Sequence, residues 1–313
     1  MVPDLVGYTM AKIDAENKII EKAWTSTSVS AADLQDAESI SVLDAETGTV
    51  YDGDFFFIFN TETSKYDLET DYSKYDMVAY EDDSQKVAVY TWADGESLTG
   101  TTSYLTKTVY IKLYNDANFA NFNTYSDYSL TIDLNGYTLT NVGQTTNVQF
   151  GESMSGSWKE REISFINTSG EAATLDLTAK GGSYFQARPG SIVLFENIDI
   201  TYKSGTIFNE GGAKSITFRN CTVTAKSGTG YLTDGSVANP SCATDYLSKS
   251  DDNYREYVFD NTVLANMSVG KAATSTSTDG RYDRLKITFK NGSVVDNKVS
   301  STILNITGNE VKK

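Results

Sequence analysis

The feature that most constrains the fold is a short frame that returns along the second half of the chain. It reads apolar, any, Phe, charged, Asn, and then a small or apolar residue, a polar one and another apolar one. Two clear copies are Val193-Leu194-Phe195-Glu196-Asn197-Ile198-Asp199-Ile200 and Ile216-Thr217-Phe218-Arg219-Asn220-Cys221-Thr222-Val223, 23 residues apart (220 − 197). The frame returns at Tyr257-Val258-Phe259-Asp260-Asn261 and Ile287-Thr288-Phe289-Lys290-Asn291, and an earlier copy is Ile163-Ser164-Phe165-Ile166-Asn167. A repeating unit of this size cannot bury its own apolar face and must stack on its neighbours.

Within each copy apolar residues alternate with a period of two, the signature of strands with one buried face. Val193 and Phe195, Ile216 and Phe218, and Ile287 and Phe289 are expected to point inward. After the asparagine the parity shifts by one, so that Ile198 and Ile200, then Cys221 and Val223, point inward. A parity change at Asn marks a sharp bend, because Asn tolerates the left-handed backbone region better than most residues. Strands that recur in one direction and stack in register about 4.8 Å apart form a parallel β-helix. Phe165, Phe195, Phe218, Phe259 and Phe289 are then expected to form an internal aromatic column. Asn167, Asn197, Asn220, Asn261 and Asn291 are expected to form a buried amide ladder at one turn. The outward position before the turn reads Glu196, Arg219, Asp260, Lys290, an alternation of charge that favours one stacking register.

These runs resemble rungs of the right-handed parallel β-helix of the pectin-lyase-like superfamily. Ile132-Asp133-Leu134-Asn135-Gly136-Tyr137-Thr138-Leu139 is similar to the opening rung of β-helices in secreted and wall-attached bacterial proteins. The resemblance spans roughly residues 105–311 and implies an all-β solenoid. Its superfamily includes lyases, hydrolases, esterases, phage tailspikes and non-catalytic adhesins, so the fold alone does not choose a function. Polysaccharide lyases of that fold use a calcium ion held by several carboxylates with an Arg or Lys as base, and related hydrolases use paired Asp. No Asp pair falls on a rung here, since Asp251-Asp252 lies in a long insertion.

Residues 1–95 lack the frame and carry hairpin signals, with turns at residues 14–17, 46–48 and 82–84. The continuous apolar run Phe55-Phe56-Phe57-Ile58-Phe59 reads as a strand buried on both faces. The expected organisation is an antiparallel β domain or cap over residues 1–95, followed by a parallel β-helix over residues 96–313. A cap is expected because an open rung invites edge pairing. At the other end, further rungs or a partner are expected beyond the last frame. Val109 to Leu113 is the expected first strand of the stack, and the coil that follows departs from the frame by one residue at Asn135.

Spacing between turn asparagines lengthens to 41 residues (261 − 220) and 30 residues (291 − 261), so some coils carry insertions. The insertions at residues 153–160, 230–253 and 271–283 are expected to share one face, and insertions in repeat proteins gather on binding faces. Their aromatic residues are Trp158, Tyr231, Tyr246, Tyr254 and Tyr282, accompanied by Asp234, Asp245 and Asp283. Flat rings on a long β surface suit stacking on sugar faces, which makes this the expected glycan site. The alternative for these rings is loop packing or protein contact.

Composition narrows the chemistry. The 313-residue chain has no histidine, which removes the usual general base, the usual zinc ligand and every Ser-His or Cys-His pair. Its net charge of −16 argues against nucleic acid and anionic membrane as partners. No apolar run is long enough for a transmembrane helix. Twenty Tyr and only three Pro, with abundant Thr, Ser, Asn and Asp, suit a β-rich exported protein. No leader-like segment opens the chain, so an exported protein is expected to be represented here by a mature or excised part.

No cofactor is expected, although the Asp- and Asn-rich runs 245–253 and 279–283 suit weak calcium binding. The two cysteines leave two readings open for Cys221: a buried free thiol, or a bridge to Cys242. Asn-X-Ser/Thr motifs occur at Asn167, Asn220, Asn266, Asn291 and Asn305; three of these are ladder asparagines expected to be buried, so the motif count is a by-product of the turn and not evidence of glycosylation. The expected function is that of a non-catalytic extracellular β-helix segment of a bacterial surface or secreted protein, serving adhesion, glycan binding or stalk formation. The alternatives are a polysaccharide lyase or glycoside hydrolase using carboxylates, and a tailspike-like receptor-binding module.

Overall fold

The computed structural model describes residues 5–14, 19–100, 109–124, 129–142, 148–150, 160–179, 185–187, 190–210, 213–227, 230–237, 255–270 and 285–296. It is an all-β protein dominated by two long, mostly parallel sheets. Strands recur in sets of three, and each pairs with its counterpart in the next set. The first ribbon contains Val109–Leu113, Leu130–Asp133, Arg161–Ile166, Ser191–Glu196, Ser215–Arg219, Arg255–Asp260 and Leu285–Lys290. A second runs through Thr138–Asn141, Thr174–Leu177, Asp199–Tyr202, Thr222–Ala225, Val263–Ala265 and Val294–Asp296. A third runs through Val148–Phe150, Phe185–Ala187, Gly205–Glu210, Gly230–Val237 and Met267–Gly270. The strand Ala117–Thr124 joins the last two ribbons, its first residues pairing with Thr138–Asn141 and its last with Val148–Phe150.

Register follows the phenylalanines. Phe165 pairs with Phe195, Phe195 with Phe218, Phe218 with Phe259, and Phe259 with Phe289. The rings stack in one column, with centroids 5.3, 4.9, 5.6 and 4.9 Å apart and planes within 18° of parallel. Unequal spacing in the sequence is therefore absorbed between strands, not within them. Phe165, Phe195, Phe218 and Phe259 are fully buried. Phe289, expected to be buried, is 42% exposed, because among the described residues no strand of the first ribbon lies beyond Leu285–Lys290.

The turn asparagines explain the parity shift. Asn135, Asn197, Asn220, Asn261 and Asn291 all have positive φ between 47° and 59°. The left-handed residue rotates the chain, so Ile198 and Cys221 point inward directly after it. Asn220 Nδ2 donates to Asn197 Oδ1 at 2.8 Å, and Asn261 Nδ2 donates to Asn220 Oδ1 at 2.9 Å. Asn291 leaves the series, donating to Asp260 Oδ1 at 2.6 Å. The expected burial of this ladder is corrected: Asn197, Asn220, Asn261 and Asn291 are exposed, because the bend places them at an outer corner. Asn167 is the buried exception and has no positive φ. Ile132 pairs with Phe165 and Asp133 with Ile166, which brings Leu134 opposite Asn167 and shifts the coil by one residue. Asn167 instead closes the following loop, accepting from Gly136 N at 3.0 Å and Ser169 Oγ at 2.8 Å, and donating to Glu171 O at 2.7 Å.

A measurable consequence follows at the corner. Asn220→Ala removes the amide bonds and forces a Cβ-bearing residue without a local polar partner into the left-handed region, whereas Asn220→Gly removes only the bonds. Alanine should be the more destabilising by about 1–2 kcal/mol in denaturant melts. Equal midpoints would show that the left-handed turn carries no weight.

The N-terminal segment is more tightly joined to the stack than a separate cap. Tyr75–Tyr80 pairs antiparallel with Val109–Leu113, extending the first ribbon's sheet through Val87–Ala93, Phe56–Asn60, Lys65–Glu69 and Ser28–Val29. Met77, Ala79, Trp92 and Leu98 share one core with Ile111, Leu113 and Phe119, so the first coil is closed by covalently continuous chain. The pairing is not wholly antiparallel, since Phe57 and Ile58 run parallel to Val87 and Ala88. The apolar run 55–59 is also not buried throughout: Phe56 and Phe57 are fully covered, while Phe59 is 48% exposed. A second small sheet, Ile19–Trp24, Met10–Asp14 and Ile40–Val42, packs on its own cores around Met10, Ile40 and Phe57 and around Leu5, Ala11 and Leu43.

Candidate functional site

Of the aromatic and acidic residues expected to bind glycan, Trp158, Tyr246, Tyr254, Tyr282, Asp245 and Asp283 lie outside the described residues. Tyr231 and Asp234 fall on Gly230–Val237 of the third ribbon, with Tyr231 paired to Thr206 on one side and Ser268 on the other. The two runs expected to suit calcium, 245–253 and 279–283, lie outside the described residues as well, as does Cys242.

Two polar constellations are formed by described residues. The first is the outer corner of the stack, where the charges alternate. Arg219 Nη1 contacts Glu196 Oε1 at 2.9 Å, Arg219 Nε lies 3.7 Å from Asp260 Oδ2, and Lys290 Nζ lies 3.1 Å from the same oxygen. The Asn291 amide and Lys290 hold the Asp260 carboxyl below the usual carboxylate range. The Glu196 bond raises the Arg219 guanidinium further. Each exposed pair contributes only about 0–1 kcal/mol. Their effect is on register: a slipped strand would pull the opposite charges apart.

The second constellation was not anticipated from the sequence. It lies on the outer side of the first ribbon, where the stack meets Tyr75–Tyr80. Asp133 is fully buried there and accepts four hydrogen bonds. Its Oδ1 takes Asn135 N at 3.0 Å and Thr168 N at 3.1 Å, and its Oδ2 takes Thr168 Oγ1 at 2.6 Å and Tyr110 OH at 2.9 Å. Beside it, the Tyr80 and Tyr114 hydroxyls meet at 2.6 Å, and the Tyr72 and Tyr114 rings lie 4.1 Å apart. Phe56 sits among Tyr72, Tyr75 and Tyr80 at centroid distances of 5.2–5.9 Å. Burial, and then the Asp133 charge, push the Tyr110 phenol well above its ordinary value. Burial does the same to Tyr72, Tyr80 and Tyr114. These phenols are therefore protonated donors at any physiological pH. In the sequence Asp133 is only the second outward position of the alternating run Leu130-Thr131-Ile132-Asp133-Leu134, so nothing in the pattern marked it as buried.

Chemically, neither constellation offers an acid–base pair. Asp133 has its lone pairs committed to donors, and each corner charge is matched by the next one along the stack. Cys221 is a free thiol, buried at 3% exposure, with Sγ 3.2 Å from Arg219 O and 3.4 Å from Phe195 O. Burial pushes it up to about 12, so it is a packing residue and not a nucleophile. Among the described residues, no three Cys, Asp or Glu side chains gather in a way that would hold a metal ion. No described helix is long and apolar enough to cross a membrane. Compared with known proteins, the chain matches no family model, no curated protein and no solved structure.

Proposed function

We propose that the chain is a right-handed parallel β-helix of the pectin-lyase-like type, closed at its N-terminal end by residues 1–95. Its role is that of a non-catalytic, extracellular bacterial surface segment that holds a glycan-binding face at a fixed distance and orientation. What supports this reading above all is the state of the carboxylates in the two polar constellations. The buried one, Asp133, is saturated by four donors, and those at the corner are neutralised by Arg219 and Lys290. A chain without histidine would lean on carboxylates, Lys, Arg or Tyr for catalysis, and carboxylates committed in this way are not free to act. The three-strand repeat with its phenylalanine column supports the rigid, rod-like part of the role. The glycan face is assigned to the insertions with Trp158, Tyr231, Tyr246, Tyr254 and Tyr282, because stacked strands leave variation to the insertions.

The test has two arms. Acidic and neutral polysaccharides are incubated with the protein, with and without calcium, and reducing ends or unsaturated products are measured. The expected result is no turnover, and product formation in either condition would overturn the non-catalytic reading in favour of a lyase or hydrolase. In parallel, a glycan array compares the wild type with the triple alanine variant at Tyr231, Tyr246 and Tyr254. Binding that is lost in the variant supports the proposed face, while binding that is unchanged moves the site elsewhere. An array on which the wild type binds nothing favours a stalk.

A further inference from the structure

Two turns of the stack share one sequence and one backbone conformation but stand in different surroundings. Asn135-Gly136 follows Leu130–Asp133, and Asn291-Gly292 follows Leu285–Lys290; they are the only Asn-Gly pairs in the chain. The asparagines have φ of 47° and 52°, and the glycines 87° and 82°. One main-chain bond closes each turn, Tyr137 N to Leu134 O at 2.8 Å in the first and Ser293 N to Lys290 O at 3.2 Å in the second.

An Asn-Gly pair carries a reaction of its own. Glycine has no Cβ to shield its nitrogen or to restrain its backbone, so that nitrogen can swing onto the preceding side-chain amide. The glycine nitrogen gives its proton to hydroxide and bonds to the asparagine Cγ, the side-chain nitrogen leaves as ammonia, and a five-membered imide remains. Water then opens the imide at one carbonyl or the other, leaving aspartate or isoaspartate. Amide and water become carboxylate and ammonium, and no other reactant is needed. The first turn obstructs this path. Gly136 N donates to Asn167 Oδ1 at 3.0 Å, and Asn135 Nδ2 donates to Leu113 O at 3.0 Å, so nucleophile and amide are tied to the coils on either side. A Cβ on Gly136 would meet Ser169 Oγ at 2.8 Å, which shows how closely the next loop covers the turn.

The second turn has none of this cover among the described residues. Gly292 N has no acceptor there, and a Cβ on Gly292 would meet nothing within 4 Å beyond its chain neighbours. Asn291 and Gly292 are both exposed, and no described strand of the first ribbon lies beyond Leu285–Lys290. Opening this turn for the attack therefore costs less than opening the one at Asn135. We propose that Asn291 is a site of spontaneous deamidation, converted to aspartate and isoaspartate in the folded protein while Asn135 remains an amide. The product undoes a contact of the corner. Asn291 Nδ2 donates to Asp260 Oδ1 at 2.6 Å, and after the reaction a carboxylate faces that oxygen, so two acceptors of like charge meet where a bond stood. Isoaspartate also adds an atom to the main chain of the turn, which displaces Ser293 N from Lys290 O. The coil at Leu285–Lys290 is loosened, while the bonds from Asn220 to Asn197 and from Asn261 to Asn220 are untouched. This inference stands apart from the glycan-binding reading, and either can fail without the other.

The full chain is aged in mildly alkaline buffer, folded and in concentrated urea, and fragment-ion mass spectrometry follows the change from amide to acid at both positions. In the folded protein Asn291 should convert at least about tenfold faster than Asn135, and in urea the two rates should approach each other. Hydrogen exchange then compares fresh protein, aged protein and the Asn291→Asp variant. Aged protein and variant should both lose protection in residues 287–295 and keep it in residues 191–219. Equal rates at the two positions in the folded protein, a faster rate at Asn135, or conversion of Asn291 in urea alone would overturn the proposed site. Unchanged protection in both the aged protein and Asn291→Asp would overturn the loosening of the coil.

Discussion

Phe218→Ala is expected to destabilise the fold by about 3–5 kcal/mol, read as a lowered denaturant midpoint with an unchanged slope. Phe218 is fully buried between two parallel rings, Phe195 at 4.9 Å and 10°, and Phe259 at 5.6 Å and 8°. The strands above and below are held by their own ladders and cannot close on the missing ring, so most of its volume remains as a cavity. The loss therefore includes burial of the ring, its stacking with both neighbours and the cavity itself. Phe289→Ala provides the comparison within the same column. It has one ring neighbour among the described residues, 4.9 Å away, and is 42% exposed, so its loss should be about 1 kcal/mol. Equal losses at the two positions would mean that column membership, not burial, sets the energy, and would contradict this account.

The stacked part of the fold was legible because its determinants are local and repeated. Phe195 and Phe218 announce inward positions, Asn197 and Asn220 announce the left-handed turn, and Glu196 and Arg219 announce the register. Each signal is a residue type whose physics admits few other readings at that spacing. The reading went wrong where a repeat was present in letters but not in geometry. Asn167 matches the frame, yet the chain pairs it opposite Leu134, because the strand Leu130–Asp133 reaches its turn one residue later than its neighbour. The slip itself was legible at Asn135, which follows the inward Leu134 directly; its consequence for Asn167 was not.

The junction at the N-terminal end was legible only in outline. Hairpins around residues 14–17 and 82–84 are local events and were visible. That Tyr75–Tyr80 would pair with Val109–Leu113, and that Met77 and Trp92 would enter the same core as Ile111, depends on contacts between segments far apart in sequence. The Tyr72, Tyr80, Tyr110 and Tyr114 group has the same origin, since four tyrosines among twenty carry no signal until two sheets meet. The outward burial of Phe55 to Phe59 was overestimated because an unbroken apolar run does not reveal where a neighbouring strand peels away. At Phe59 it does, and that ring is left 48% exposed.

Asp133 should be the most sensitive polar position of the described structure, and the direction of its hydrogen bonds says which substitution it tolerates. Asp133→Ala leaves two backbone N–H groups, from Asn135 and Thr168, and two hydroxyls, from Thr168 and Tyr110, without their acceptor in a buried place. Hydrogen bonds to a charged acceptor contribute about 1.5–3 kcal/mol each and are not additive in a shared site, so a total loss of about 3–5 kcal/mol is expected. Asp133→Asn should cost much less, about 1–2 kcal/mol. The carbonyl oxygen of the amide can keep the two N–H groups, which only donate. Its NH2 then faces the two hydroxyls, which can turn and accept. Tyr110→Phe removes a single donor and should fall near the amide variant. Urea melts of the three variants, with hydrogen exchange at Asn135 and Thr168, decide the matter. The amide variant should keep both amides protected, and the alanine variant should release them while the stacked strands beyond Ser191 remain protected. If Asp133→Ala and Asp133→Asn are equally destabilised, then charge and not bond direction is what the buried site requires, and this account of the network is wrong.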